Sequence, residues 1–69
     1  MTQETVKYRF RDARKAAGMS AEQAAVKLGV SISTLFSWER GQYLPRANDI
    51  RRMATIYDVS ADYLLGDDA

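Results

Sequence analysis

The sequence contains no cysteine and no histidine. No disulfide can tie the chain, and the commonest ligands of structural metal sites are missing. A chain of 69 residues must then rely on a compact apolar core, with oligomerisation as a further aid. The lack of cysteine fits a reducing compartment. No stretch approaches the roughly 20 apolar residues of a membrane span. Met1-Thr-Gln-Glu lacks the charged and apolar regions of a secretory signal. The chain is therefore expected to be soluble and cytoplasmic. No segment alternates with period two, so no strand is expected. No repeat, linker or low-complexity stretch is present, and one domain is expected over residues 1–69, with its core at about 5–66 and loose ends. Enzyme chemistry finds little footing. There is no Gly-rich phosphate loop, no carboxylate pair in an expected cleft, and no general base beside the serines. No catalysis, cofactor or metal is expected.

The net charge of +1 conceals an asymmetry. All ten Lys and Arg lie at or before Arg52, against five acids up to residue 57 (Glu4, Asp12, Glu22, Glu39, Asp49). Residues 58–69 carry Asp58, Asp62, Asp67 and Asp68 and no base. A basic body with an acidic end is compatible with a nucleic-acid-facing surface, and equally with an ordinary solvated one.

The single Pro and the four Gly fall at segment ends. Gly18, Gly29, Gly41 and Gly66 each follow a helix-compatible run and read as stop signals. Ser20 with Gln23 three residues on is a capping-box pattern. Ser31 and Ser60 are candidate N-caps. Pro45 opens the connection to a further helix, with Asn48 and Asp49 near its start. Five helices are expected at roughly 5–17, 21–28, 32–40, 47–57 and 61–65. The second and third, joined at Leu28-Gly29-Val30-Ser31, form a helix-turn-helix, whose second helix typically enters the DNA major groove.

Apolar residues recur at helical spacing. Val6, Phe10, Ala13 and Ala17 make one stripe; Ala24, Ala25 and Leu28 the next; Leu35 and Trp38 the third. Ile50, Met53, Ala54 and Tyr57 make the fourth, with Leu64 and Leu65 closing the base. These positions read as core. Ala25 sits where the two motif helices must approach closely.

Several motifs stand together: Phe10-Arg-Asp-Ala-Arg-Lys-Ala-Ala-Gly18, Leu28-Gly-Val-Ser31, Trp38-Glu-Arg-Gly41, Leu44-Pro45, Tyr57-Asp-Val-Ser60 and Tyr63-Leu-Leu-Gly66. In combination they resemble the Cro and lambda-type repressor (XRE) family of bacterial and phage helix-turn-helix proteins, over about residues 6–66. The resemblance implies an all-α, five-helix domain with its third helix in the major groove of double-stranded DNA. It implies a transcriptional regulator, repressor-like and nucleoid-associated, made of this domain alone. A homodimer on two half-sites is expected, because one domain offers few base contacts. The family-like place for the dimer contact is Tyr57, Val59, Tyr63 and Leu64, in competition with the core.

The resemblance also implies residue roles. Arg14 and Glu39 match a pair that joins the first helix to the end of the third, with Arg14 near the phosphates. Arg40 and Arg46 match phosphate-contacting positions, with Gln42 and Tyr43 between them. Ser20 and the free amides at the start of the second helix lie where relatives approach a phosphate, and a helix N-terminus suits an anion in any case. Thr34, at the edge of the base-reading face, is a further phosphate candidate. Such contacts set register without reading sequence. Where the family commonly has Gln after that serine, this chain has Ala21.

Base reading falls to Ile32, Ser33, Phe36 and Ser37. None is among the strong bidentate readers, Arg or Lys to guanine and Asn or Gln to adenine. Ile32 and Phe36 suit thymine methyls, and specificity then leans on DNA shape or paired half-sites. In the alternative, Ile32 and Phe36 form an exposed apolar patch for a protein partner, with Val26 beside it. A third reading folds Phe36 into the core. Around the first helix, Lys7, Arg9, Arg11, Arg14 and Lys15 read as a mostly solvated face with one or two phosphate contacts. Arg51 and Arg52 read as solvated.

Overall fold

The computed structural model describes residues 8–66. Within them the chain forms α1 (Phe10–Ala16), α2 (Ala21–Leu28), α3 (Ile32–Glu39), α4 (Ala47–Tyr57) and α5 (Ala61–Leu64), and no strand. No helix among them is long and apolar enough to cross a membrane.

Three serines start three of these helices, and the reason is local. A first helical turn leaves backbone N–H groups without intrahelical partners, and a serine hydroxyl can accept one of them. Ser20 Oγ accepts from Gln23 N–H at 3.0 Å, while Gln23 Oε1 accepts from Ser20 N–H at 2.9 Å. Ser31 Oγ accepts from Thr34 N–H at 3.1 Å and donates to Thr34 Oγ1 at 3.0 Å. Ser60 Oγ accepts from Tyr63 N–H at 3.0 Å. Each such cap stabilises by about 1 kcal/mol.

The stops are equally regular. At the end of α2, Val30 N–H donates to the Ala25 carbonyl at 3.0 Å and Gly29 N–H to the Val26 carbonyl at 3.1 Å. This closure needs a left-handed residue, and Gly29 supplies it at φ +74°. A Cβ built there would meet nothing within 4 Å, so the demand for glycine is one of backbone conformation alone. The same pair of hydrogen bonds closes α4, where Val59 N–H donates to the Ala54 carbonyl and Asp58 N–H to the Thr55 carbonyl. There the left-handed residue is Asp58 at φ +59°, the one non-glycine with positive φ among the described residues.

The core draws on every helix. Phe10 and Ala13 come from α1, Ala24, Ala25 and Leu28 from α2, and Leu35 and Trp38 from α3. Ile50, Met53 and Tyr57 come from α4 and Leu64 from α5. Full burial of each large member contributes about 1.5–3 kcal/mol. Ala54 and Leu65 pack against this cluster only partly buried.

Three expectations from sequence change. The first helix begins at Phe10, so Tyr8 and Arg9 lie outside it, and residues 5–7 lie outside the described part of the chain. The cause is tertiary: Arg9 N–H donates to the Leu64 carbonyl at 2.8 Å, fixing the backbone just ahead of the helix. Ala17 is exposed rather than core, because α1 ends one residue before it; Val6 is outside the described residues. Arg52, though exposed, is not simply solvated. Its Nη1 donates to the Leu28 carbonyl at 3.2 Å and so ties α4 to the end of α2.

Candidate nucleic-acid interface

The capped, glycine-closed turn between α2 and α3 determines how α3 is presented. Leu35 and Trp38 are buried on its inner face. At spacings of three and four residues, Ser33, Phe36, Ser37 and Arg40 then share the outer side. Ser33 and Arg40 are exposed, Phe36 is 37% exposed, and Ser37 is half-buried. Ile32 lies differently from the sequence expectation. It is half-buried and packs against the core, so it does not form an exposed patch with Phe36. Ile32 is the first residue of α3, and its side chain meets the core cluster while its neighbour Ser33 stays exposed. Thr34 is half-buried, with its hydroxyl engaged by Ser31.

The rear of α3 is locked to α1. Arg14 Nε donates to Glu39 Oε2 at 2.7 Å, and Arg14 Nη2 donates to Glu39 Oε1 at 3.1 Å. The two side chains are 9% and 4% exposed. Arg14 Nη1 also donates to the Met19 carbonyl at 3.1 Å, which holds the link between α1 and α2. The Glu39 carboxylate raises the Arg14 pKa by hydrogen bonding, against the opposing effect of burial, so the guanidinium keeps its charge. This placement bears on the phosphate role expected of Arg14. Its guanidinium is enclosed and committed to Glu39 and Met19, which makes it a strut of the site and not an open surface cation. Tyr57 stands near the same pair from α4. Its hydroxyl is buried with no hydrogen-bond partner among the described residues. Burial, reinforced by the Glu39 charge, pushes its pKa up to about 12.

Between α1 and the outer side of α3 lies a cleft of about 290 Å³ lined by Arg11, Arg14, Lys15, Phe36, Glu39 and Arg40. Arg11 and Lys15 are exposed and have no ion-pair partner among the described residues. Phe36 thus sits in a basic rim, neither folded into the core nor next to Val26. Val26, 79% exposed, shares a different surface with Glu22, Gln23 and Lys27.

The remaining candidate phosphate ligands flank α3. Ser20 is exposed at the start of α2, but its hydroxyl is engaged by the cap. Arg40 Nη2 donates to Gln42 Oε1 at 3.0 Å, which pre-orients both side chains in the loop after α3. Tyr43 is 68% and Leu44 58% exposed, whereas Pro45 is buried and anchors the loop. Arg46 is exposed and immediately precedes α4.

Two residues expected at a dimer contact are consumed by the core: Tyr57 is 4% and Leu64 0% exposed. Tyr63 is half-buried under the Arg9 guanidinium, 4.7 Å from its ring centroid, and Arg9 Nη1 donates to the Tyr63 carbonyl at 3.4 Å. Sequence reasoning missed the unpartnered Tyr57 hydroxyl and the Arg52–Leu28 tie. Spacing says which side a residue faces, not where its polar tip ends. Lys7 lies outside the described residues.

Comparison with known proteins agrees with this geometry. A family model described as "Helix-turn-helix domain" matches residues 8–64. The chain is similar to three proteins of Bacillus subtilis (strain 168). It is 37% identical over 60 residues to the HTH-type transcriptional regulator ImmR, covering 87% of this chain and 47% of ImmR. It is 38% identical over 58 residues to the uncharacterized HTH-type transcriptional regulator YobD, covering 84% of this chain and 52% of YobD. It is 43% identical over 56 residues to the uncharacterized HTH-type transcriptional regulator YazB, covering 81% of each. The chain spans about half the length of the first two. With the α2–turn–α3 unit and a match running from Tyr8 to Leu64, the chain belongs to the helix-turn-helix domain family, in its Cro and lambda-repressor-like (XRE) branch.

Proposed function

We propose that this protein binds double-stranded DNA with α3 in the major groove and regulates transcription by occupying an operator. The observation that carries this reading is the outer side of α3. Its hydroxyls and its Phe36 ring are presented outward, flanked by Arg11, Lys15 and Arg40, while the inner side is clamped. A rigid helix with a basic rim matches a polyanionic groove.

In this reading Ser33, Phe36 and Ser37 face the bases, with Ile32 at the edge. Arg40, Gln42, Tyr43 and Arg46 meet phosphates on one side. Ser20 and the first amides of α2 meet them on the other, with Thr34 nearby. Arg14 acts by holding α3 through Glu39. Occupancy alone supplies a repressor-like effect, so no catalysis is invoked. The site of action is the cytoplasmic nucleoid. Two copies on paired half-sites supply the contacts that one lacks. Val59, Tyr63 and Leu65 are the half-buried apolar residues left near α5 for that pairing. The competing use of α3 as a protein-docking patch loses one of its two apolar members, because Ile32 packs inward.

The test is selection from a random duplex pool, followed by a salt titration on the winner. Affinity is expected to fall steeply with salt. Arg40→Ala and Arg46→Ala are each expected to lower the log–log slope by about 1 and to weaken all sequences alike. A folded protein that selects no duplex would refute the reading.

A further inference from the structure

The outer side of α3 carries little that can tell one base from another. Ser33 and Ser37 are hydroxyls, which donate and accept alike and satisfy most base edges. Before Arg40 the helix holds no Arg, Lys, Asn or Gln. Ahead of Arg40, the remaining side chain on that stripe is Phe36. Its ring is 37% exposed and lies outside the buried core, so it is backed by protein on one side and presented on the other. Ile32 does not share this role, since it packs inward.

An aromatic ring offers no donor or acceptor to a base edge in the plane of the pair. In the major groove, the apolar feature that differs among the standard bases is the C5 methyl group of thymine. The surroundings of the ring argue for DNA over an apolar protein surface. Arg11, Lys15 and Arg40 line the same cleft, and an apolar partner would have to strip water from all three. A phosphate backbone would instead neutralise them while the ring reached into the groove.

We infer that Phe36 is the specificity-determining residue of α3 and selects thymine, through contact with its C5 methyl, at one position in each half-site. The cations lining the cleft around it hold the adjacent backbone. This rests on the DNA-binding reading above.

Deoxyuridine removes that methyl and leaves base pairing intact. The test uses the best duplex from the random pool, resynthesised with each thymine replaced in turn by deoxyuridine. Replacement at one position per half-site is expected to weaken binding about fourfold, the weight of one buried carbon. Other positions stay silent, and F36A binds the thymine and deoxyuridine duplexes equally. Indifference of the unmodified protein to deoxyuridine everywhere overturns the inference, and so does F36A keeping the same penalty. In both cases DNA binding itself survives. Failure to select any duplex overturns the broader reading as well.

Discussion

On the inner side of α3, Leu35 and Trp38 are buried and Glu39 is held by two hydrogen bonds from Arg14. On the outer side, Ser33 and Arg40 lie exposed, and Phe36 is more than a third exposed. The two sides divide the work. The inner one sets where the helix is, through burial and a charged pair that tolerate little change. The outer one is under weak structural constraint, so its side chains can vary with the target. Substitutions on the inner side should reduce stability and binding together, whereas outer ones should change binding alone.

The largest effect should follow Glu39→Gln. The substitution keeps the shape but leaves the buried Arg14 charge without its counter-ion. Losing one member of a buried pair costs about 3 kcal/mol or more. Urea unfolding should show that loss, a large share of the stability of a domain this small. DNA affinity should fall although no outer residue has changed. Unchanged stability would erase the distinction between the two sides.

Tyr57→Phe sharpens it in the opposite direction. The hydroxyl is buried beside the pair with no partner among the described residues, so removing it should stabilise by about 1 kcal/mol. The pH dependence gives an independent check. The folded protein holds the phenol proton up to about 12, against about 10 in the unfolded chain. The tyrosine's contribution is therefore complete below pH 10 and is lost as pH rises through 12. Unfolding midpoints measured from pH 9 to 12 should fall less steeply in the phenylalanine variant. A destabilised variant at neutral pH would mean that the hydroxyl is satisfied after all.

The smallest effect is a control away from both sides. Asp58→Gly relieves the left-handed backbone at the end of α4 and should stabilise by about 0.5 kcal/mol. A thermal melt should rise by a few degrees while DNA affinity stays the same. An affinity change would mean that the end of α4 communicates with the site.

What the sequence announced and what it hid divide along chemical range. The caps at Ser20, Ser31 and Ser60 were readable because each partner lies three residues away. The inner positions Leu35 and Trp38 followed from spacing. The start of α1 did not, because it is set by a bond from Arg9 to Leu64 at the far end of the chain. The stop at Asp58 lacked the usual glycine. Arg14 and Glu39 could be matched through the family pattern, but the enclosure of Arg14 emerges only from packing. Ile32 and Phe36 looked alike as two apolar residues one turn apart, and only the fold separates them into an inward and an outward member.

The bond between Arg9 and Leu64, with the Arg9 guanidinium laid over Tyr63, makes the domain almost a ring. The stretch entering α1 and the end of α5 are thereby held at one seam. Strain that separates Arg9 from Leu64 would act on α1 and α5 together, at a place remote in sequence from α3.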